Sequence, residues 1–91
     1  MVKVRIPTPL RGTTKGLSEV TANGATVIDV IRDLGKQYPE LTSKLLDEKG
    51  GLRRYVNFFV NETDVRDLQG PASALKDGDT LSVMPAIAGG W

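Results

Sequence analysis

The order of periodic segments along these 91 residues predicts an α+β domain, a mixed sheet of four to five strands packed against one main helix and a short second helix. Three observations carry this: strict alternation at the start of the chain, one amphipathic helical stretch in the middle, and two further alternating runs before residue 85.

Val2, Val4 and Ile6 alternate with Lys3 and Arg5, the period of a half-buried strand. Pro7, Pro9 and Gly12 break the run and predict a polar loop to Gly16. Leu17 to Ala22 returns as a second strand with Val20 and Ala22 inward, and Asn23-Gly24 is a turn. Thr26-Val27-Ile28-Asp29 has the form of a capping box. Behind it Val27, Val30, Ile31, Leu34 and Tyr38 share one helical face, which predicts a helix over about 27–37. Pro39 stops that helix and opens a short second one through Leu46, since proline is tolerated in a first turn. Asp47 to Gly51 is a loop.

Tyr55 to Asn61 is the strongest strand pattern, with Val56, Phe58 and Val60 on one face and Tyr55, Asn57, Phe59 and Asn61 on the other. A turn at Asn61–Asp64 and a short piece around Val65 follow. Asp77-Gly78 is a strong turn signal before a last strand, Thr80 to Met84. The order is β-β-α-(short α)-β-(β)-β. One helix across a mixed sheet, as in the β-grasp or ubiquitin-like fold, satisfies this order and the handedness of crossovers. A ferredoxin-like split would require a second long helix where Pro71 and two glycines stand.

Composition narrows the chemistry. There is no Cys and no His, which removes disulfides, Cys/His zinc sites, cysteine nucleophiles and histidine bases. A net charge of +1 argues against a nucleic-acid or membrane surface that works by bulk charge. No apolar run is long enough to span a bilayer, and the start of the chain lacks a secretory signal, so the expected location is the cytoplasm. The expectation is a carrier handled by enzymes, with no catalytic residue, no bound metal and no cofactor of its own.

The pattern ends at Met84, which divides the chain into a domain over 1–84 and a flexible tail over 85–91, Pro-Ala-Ile-Ala-Gly-Gly-Trp. Pro85 lacks a backbone donor and ends the strand. A terminal carboxylate becomes reactive when an enzyme adenylates it, and it must reach the nucleotide through a narrow channel. Gly89 and Gly90 have no Cβ to clash there. With Ala88 they form a thin lead that Ile87 anchors in an apolar pocket. Taken alone, such an end is also what a frayed terminus looks like.

Fold and tail together resemble the MoaD/ThiS sulfur-carrier family of ubiquitin-like proteins, whose members end in Gly-Gly. The matching residues include Ile6-Pro7-Thr8, Leu10-Arg11, Val30-Ile31, Asp33-Leu34, Tyr38, Val56-Asn57, Val60-Asn61, Asp64-Val65-Arg66, Asp77-Gly78-Asp79, Pro85-Ala86 and Ala88-Gly89-Gly90. The Val-Asn, Asp-Val-Arg and Pro-Ala-x-Ala-Gly-Gly elements point within it to the CysO-type branch of cysteine biosynthesis. The resemblance implies a cycle of partners. An E1-like enzyme adenylates Gly90 with ATP and magnesium, and a sulfur donor converts it to a thiocarboxylate. A PLP-dependent cysteine synthase-type enzyme uses that sulfur on an aminoacrylate, and a JAMM-type metallopeptidase, with its zinc, cuts the adduct.

One departure from the family matters. Trp91 ties Gly90 into a peptide bond, and an amide cannot be adenylated as a carboxylate can. The Gly90–Trp91 bond is therefore a processing site, with a JAMM-type peptidase as its agent, unless Trp91 is a cloning scar. Phe59, beside Tyr55, forms part of a docking surface for the activating enzyme unless a loop covers it. Three other readings stand beside the carrier: a modifier conjugated through Gly90, the small subunit of molybdopterin synthase, and an interaction module using its sheet face.

Overall fold

A computed structural model describes residues 1–53 and 56–85. Five strands form one mixed sheet: β1 (Val2–Arg5), β2 (Glu19–Ala22), β3 (Val56–Val60), β4 (Thr63–Asp64) and β5 (Thr80–Pro85), in the spatial order β2-β1-β5-β3-β4. Helices α1 (Val27–Gln37) and α2 (Pro39–Leu45) connect β2 to β3. The first and last strands lie side by side and parallel, with Val4 opposite Leu81, and every other pairing is antiparallel. This is the β-grasp arrangement that the element order predicts.

Alternation explains which sheet face is covered. Val2, Val4, Val20, Ala22, Phe58, Val60, Leu81 and Val83 all point inward and are buried. Val27, Val30, Ile31 and Leu34 of α1 meet them, each with no exposed surface. Leu41 and Leu45 of α2 complete the core. Each such fully buried aliphatic contributes about 1.5–3 kcal/mol of transfer free energy. Helix α1 starts where the capping box places it: the Asp29 N–H donates to Thr26 Oγ1 at 3.4 Å. It ends at Tyr38, whose partly buried ring packs against the core and whose Pro39 begins α2.

Two stretches differ from the sequence reading. Residues Thr8–Thr14 form a 3-10 helix rather than a loop, with Leu10 and Thr14 buried. Pro9 in its first turn needs no N–H there, and Thr14 Oγ1 satisfies itself on the carbonyls of Arg11 and Leu17. The piece around Val65 is also not a strand. Pairing ends at Asp64, and Val65–Asp67 is a 3-10 turn that buries Val65 under β3.

Candidate functional site

β5 is an inner strand, held by β1 on one side and β3 on the other, so its last residues leave from a rigid part of the sheet. β1 pairs only as far as Ser82, while β3 continues to the end, with Asn57 opposite Met84 and Val56 opposite Pro85. Pro85, expected to end the strand, is its final paired position. Gly90, Gly89, Ala88, Ile87 and the Gly90–Trp91 bond lie outside the described residues, as does Tyr55.

Because Leu81 and Val83 face the core, Thr80, Ser82 and Met84 face outward. Met84 is 52% exposed, a large apolar side chain presented just before the tail. Phe59 projects from the same outer face, opposite Ser82 on one side and Asp64 on the other. Phe58 is the core aromatic and Phe59 is half-buried, which is the division that alternation predicts. The period-two pattern of Thr80 to Met84 already places Met84 outward, so its exposure is legible in the sequence.

Arg66 crosses this face. Its Nε donates to Asp64 Oδ1 and Oδ2 at 3.1 and 3.2 Å, its Nη2 to Asp64 Oδ2 at 2.7 Å, and its Nη2 also to Asn57 Oδ1 at 3.1 Å. The Arg66 backbone N–H donates to Asp64 Oδ1 at 2.8 Å, so one carboxylate caps the 3-10 turn and grips the guanidinium. These hydrogen bonds, first from the side chain and then from the backbone of Arg66, hold the Asp64 carboxyl below its usual range. Asp64 and Asp79 both serve turns. Asp79 Oδ2 accepts from the Lys76 N–H at 2.9 Å. Below Arg66, a small cleft lined by Leu52, Val56, Phe58, Val65 and Pro71 opens beside β3, where β4 pairs with Phe59 and Val60 alone.

The far end of the face is polar and shallow, with Lys3, Arg5, Glu19 and Glu62 around Thr80. In the loop before β3, Arg53 is fixed by two hydrogen bonds, of 3.1 and 3.0 Å, to the Ser43 carbonyl. That is a structural use rather than an anion site. Among the described residues no group of three or more Asp or Glu side chains is placed to hold a metal, and no helix is long and apolar enough to cross a membrane.

A model of the ThiS family matches residues 4–90, through all five strands of this sheet. The chain belongs to the ThiS family. It is 45% identical over 91 residues to the sulfur carrier protein CysO of Mycobacterium tuberculosis, with 98% of each chain covered. It is also similar to small archaeal modifier protein 3 of Haloferax volcanii, 44% identical over 66 residues covering 72% of this chain and 71% of that one. Among solved structures, the BexX/CysO complex of Amycolatopsis orientalis contains a chain that superposes with a TM-score of 0.91 at 43% identity, covering 99% of this chain and 100% of that one. This ThiS-family chain therefore shares its whole β-grasp domain with CysO proteins.

Proposed function

We propose that this chain is a sulfur carrier, most directly for cysteine biosynthesis, and that it carries sulfur on Gly90. The observation behind the proposal is that the family match runs through the sheet and ends on Gly90 itself. In the proposed cycle a JAMM-type zinc peptidase first hydrolyses the Gly90–Trp91 bond, which releases a carboxylate. A carboxylate oxygen then attacks the α-phosphorus of ATP in an E1-like enzyme, with magnesium, and pyrophosphate leaves. A sulfide equivalent displaces AMP from the acyl adenylate and leaves a thiocarboxylate. Its sulfur adds to an aminoacrylate held by a PLP enzyme, and hydrolysis returns the carboxylate.

This chain supplies the reactive end and its delivery, and the partners supply catalysis. Ala88, Gly89 and Gly90 form the thin lead and Ile87 anchors it. Met84 and Phe59, with Tyr55, supply contact area for the activating enzyme. A sequence without Cys or His fits the role of an acted-upon protein.

The test is pyrophosphate release by the E1-like enzyme of the same organism. Chain ending at Gly90 is expected to be adenylated, and chain bearing Trp91 to be inert until the peptidase acts. A chelator should block that activation when added with the peptidase, before trimming. Equal pyrophosphate release from both forms would refute the processing step. No release from either would refute the carrier. The likeness to a small archaeal modifier supports a second reading, conjugation of Gly90 to lysines of other proteins. Isopeptide-linked ladders carrying this chain in its native cells would support that reading.

A further inference from the structure

The outer sheet face holds one arrangement that the carrier chemistry does not use, the clamp on Arg66. Asp64 and Asn57 take its Nε and Nη2, at 2.7 to 3.2 Å. The two charges are not equally presented. The Arg66 side chain is 72% exposed and the Asp64 side chain only 17%. The pair therefore shows its cation to an approaching surface and hides its anion. Among the described residues Nη1 has no hydrogen-bond partner, so its two N–H groups point to whatever docks. A guanidinium already fixed in its fork geometry loses little freedom when a carboxylate takes the open edge.

Position decides which partner meets it. Asn57, which Arg66 touches, lies opposite Met84, and the next pair is Val56 with Pro85. A protein seated on the outer face beside Pro85 covers Met84, Asn57 and Arg66 together. Of the exposed carboxylates, Asp67 is next to Arg66 in the 3-10 turn and adds to its field, whereas Glu62 lies in the turn at the other end of β3 and Glu19 is on β2, two strands from β5. The tail end of the face thus combines exposed apolar surface at Met84, part of Phe59 and the oriented guanidinium of Arg66. That combination fits a partner with an apolar contact and a carboxylate at its edge.

We propose that Arg66, clamped by Asp64 and Asn57, is the specificity-determining contact through which the adenylating enzyme, by a surface carboxylate, recognises this chain. The proposal rests on the carrier reading for the partner's identity. Asp64 has a second role in it, as a positioning residue that aims the guanidinium.

Calorimetric titration of the full chain onto the E1-like enzyme reads docking without any chemistry at Gly90. Arg66→Glu is expected to weaken Kd at least about tenfold with the melting temperature nearly unchanged. Arg66→Lys, which keeps the charge but not the fork, should fall between. Wild-type affinity should drop with added salt, and the Arg66→Glu complex should have lost most of that dependence. If Arg66→Glu does not fold, Arg66→Gln carries the same test. A Kd within twofold of wild type for the folded variant, or an unchanged salt dependence, overturns the proposal. Pyrophosphate release from chain ending at Gly90 scores the carrier separately. Release with an unaltered Arg66→Glu Kd overturns this inference alone, and a chain ending at Gly90 that neither binds nor releases pyrophosphate overturns both.

Discussion

Gly24 stands where β2 turns into α1, and a Cβ there would lie 2.6 Å from the Val30 nitrogen and 2.9 Å from the Asp29 carbonyl carbon. Both are backbone atoms of the first helical turn and cannot swing aside. Gly24→Ala is expected to cost about 1–3 kcal/mol as an overpacked contact, seen as a clear drop in melting temperature. Gly12→Ala, with nothing within 4 Å, should melt close to wild type. Asp47 offers a test by pH. Its carboxylate accepts from the Gly51 and Lys49 N–H groups, both at 2.9 Å, and these bonds lower its pKa. A depressed carboxylate pKa contributes stability that is present above the unfolded value and lost as pH falls through the folded one. The melting temperature of Asp47→Asn should therefore lie below wild type near neutrality, and the gap should close as pH drops below about 4. At this scale the turns at Asn61–Asp64 and Asp77-Gly78 were legible in the sequence. The bridge that Arg66 makes between Asp64 and Asn57 was not. It depends on β3 and β4 pairing in one register, which spacing alone does not reveal.

Helix α1 was legible because three independent signals coincide on it: the Thr26 cap, the 3.6-residue period and Pro39 at its end. Leu34, fully buried at the centre of its face, is expected to cost about 2–5 kcal/mol on truncation to Ala, whereas exposed Lys36→Ala should change little. Urea denaturation of the two variants checks both. Strands β1, β3 and β5 were legible from period-two patterns for the same reason. The 3-10 helix over Thr8–Thr14 was hidden because two prolines and a glycine look like loop punctuation, and its burial of Leu10 and Thr14 comes from tertiary packing. Helices α1 and α2 meet at Gly35, where a Cβ would approach Thr42 Oγ1 to 3.1 Å while that hydroxyl donates to the Ile31 carbonyl. No local pattern announces such a seam.

The molecule is organised around its central pair of parallel strands. β1 and β5 come from opposite ends of the domain and are locked side by side, so the start of the tail is anchored in the most constrained part of the sheet. In the proposed cycle the domain up to Pro85 holds the partner in register while Gly90 meets the chemistry. The β-grasp topology was readable from element order, whereas the partners and their sulfur chemistry came from resemblance and not from any residue in the core. In the proposed cycle Gly90 is freed and then carries sulfur. Intact-mass spectrometry of the protein isolated from its own cells measures this directly. The expected species lacks the Trp91 residue (about 186 Da) and gains about 16 Da where sulfur replaces oxygen. A population that retains Trp91 in full under conditions of active cysteine synthesis would contradict it.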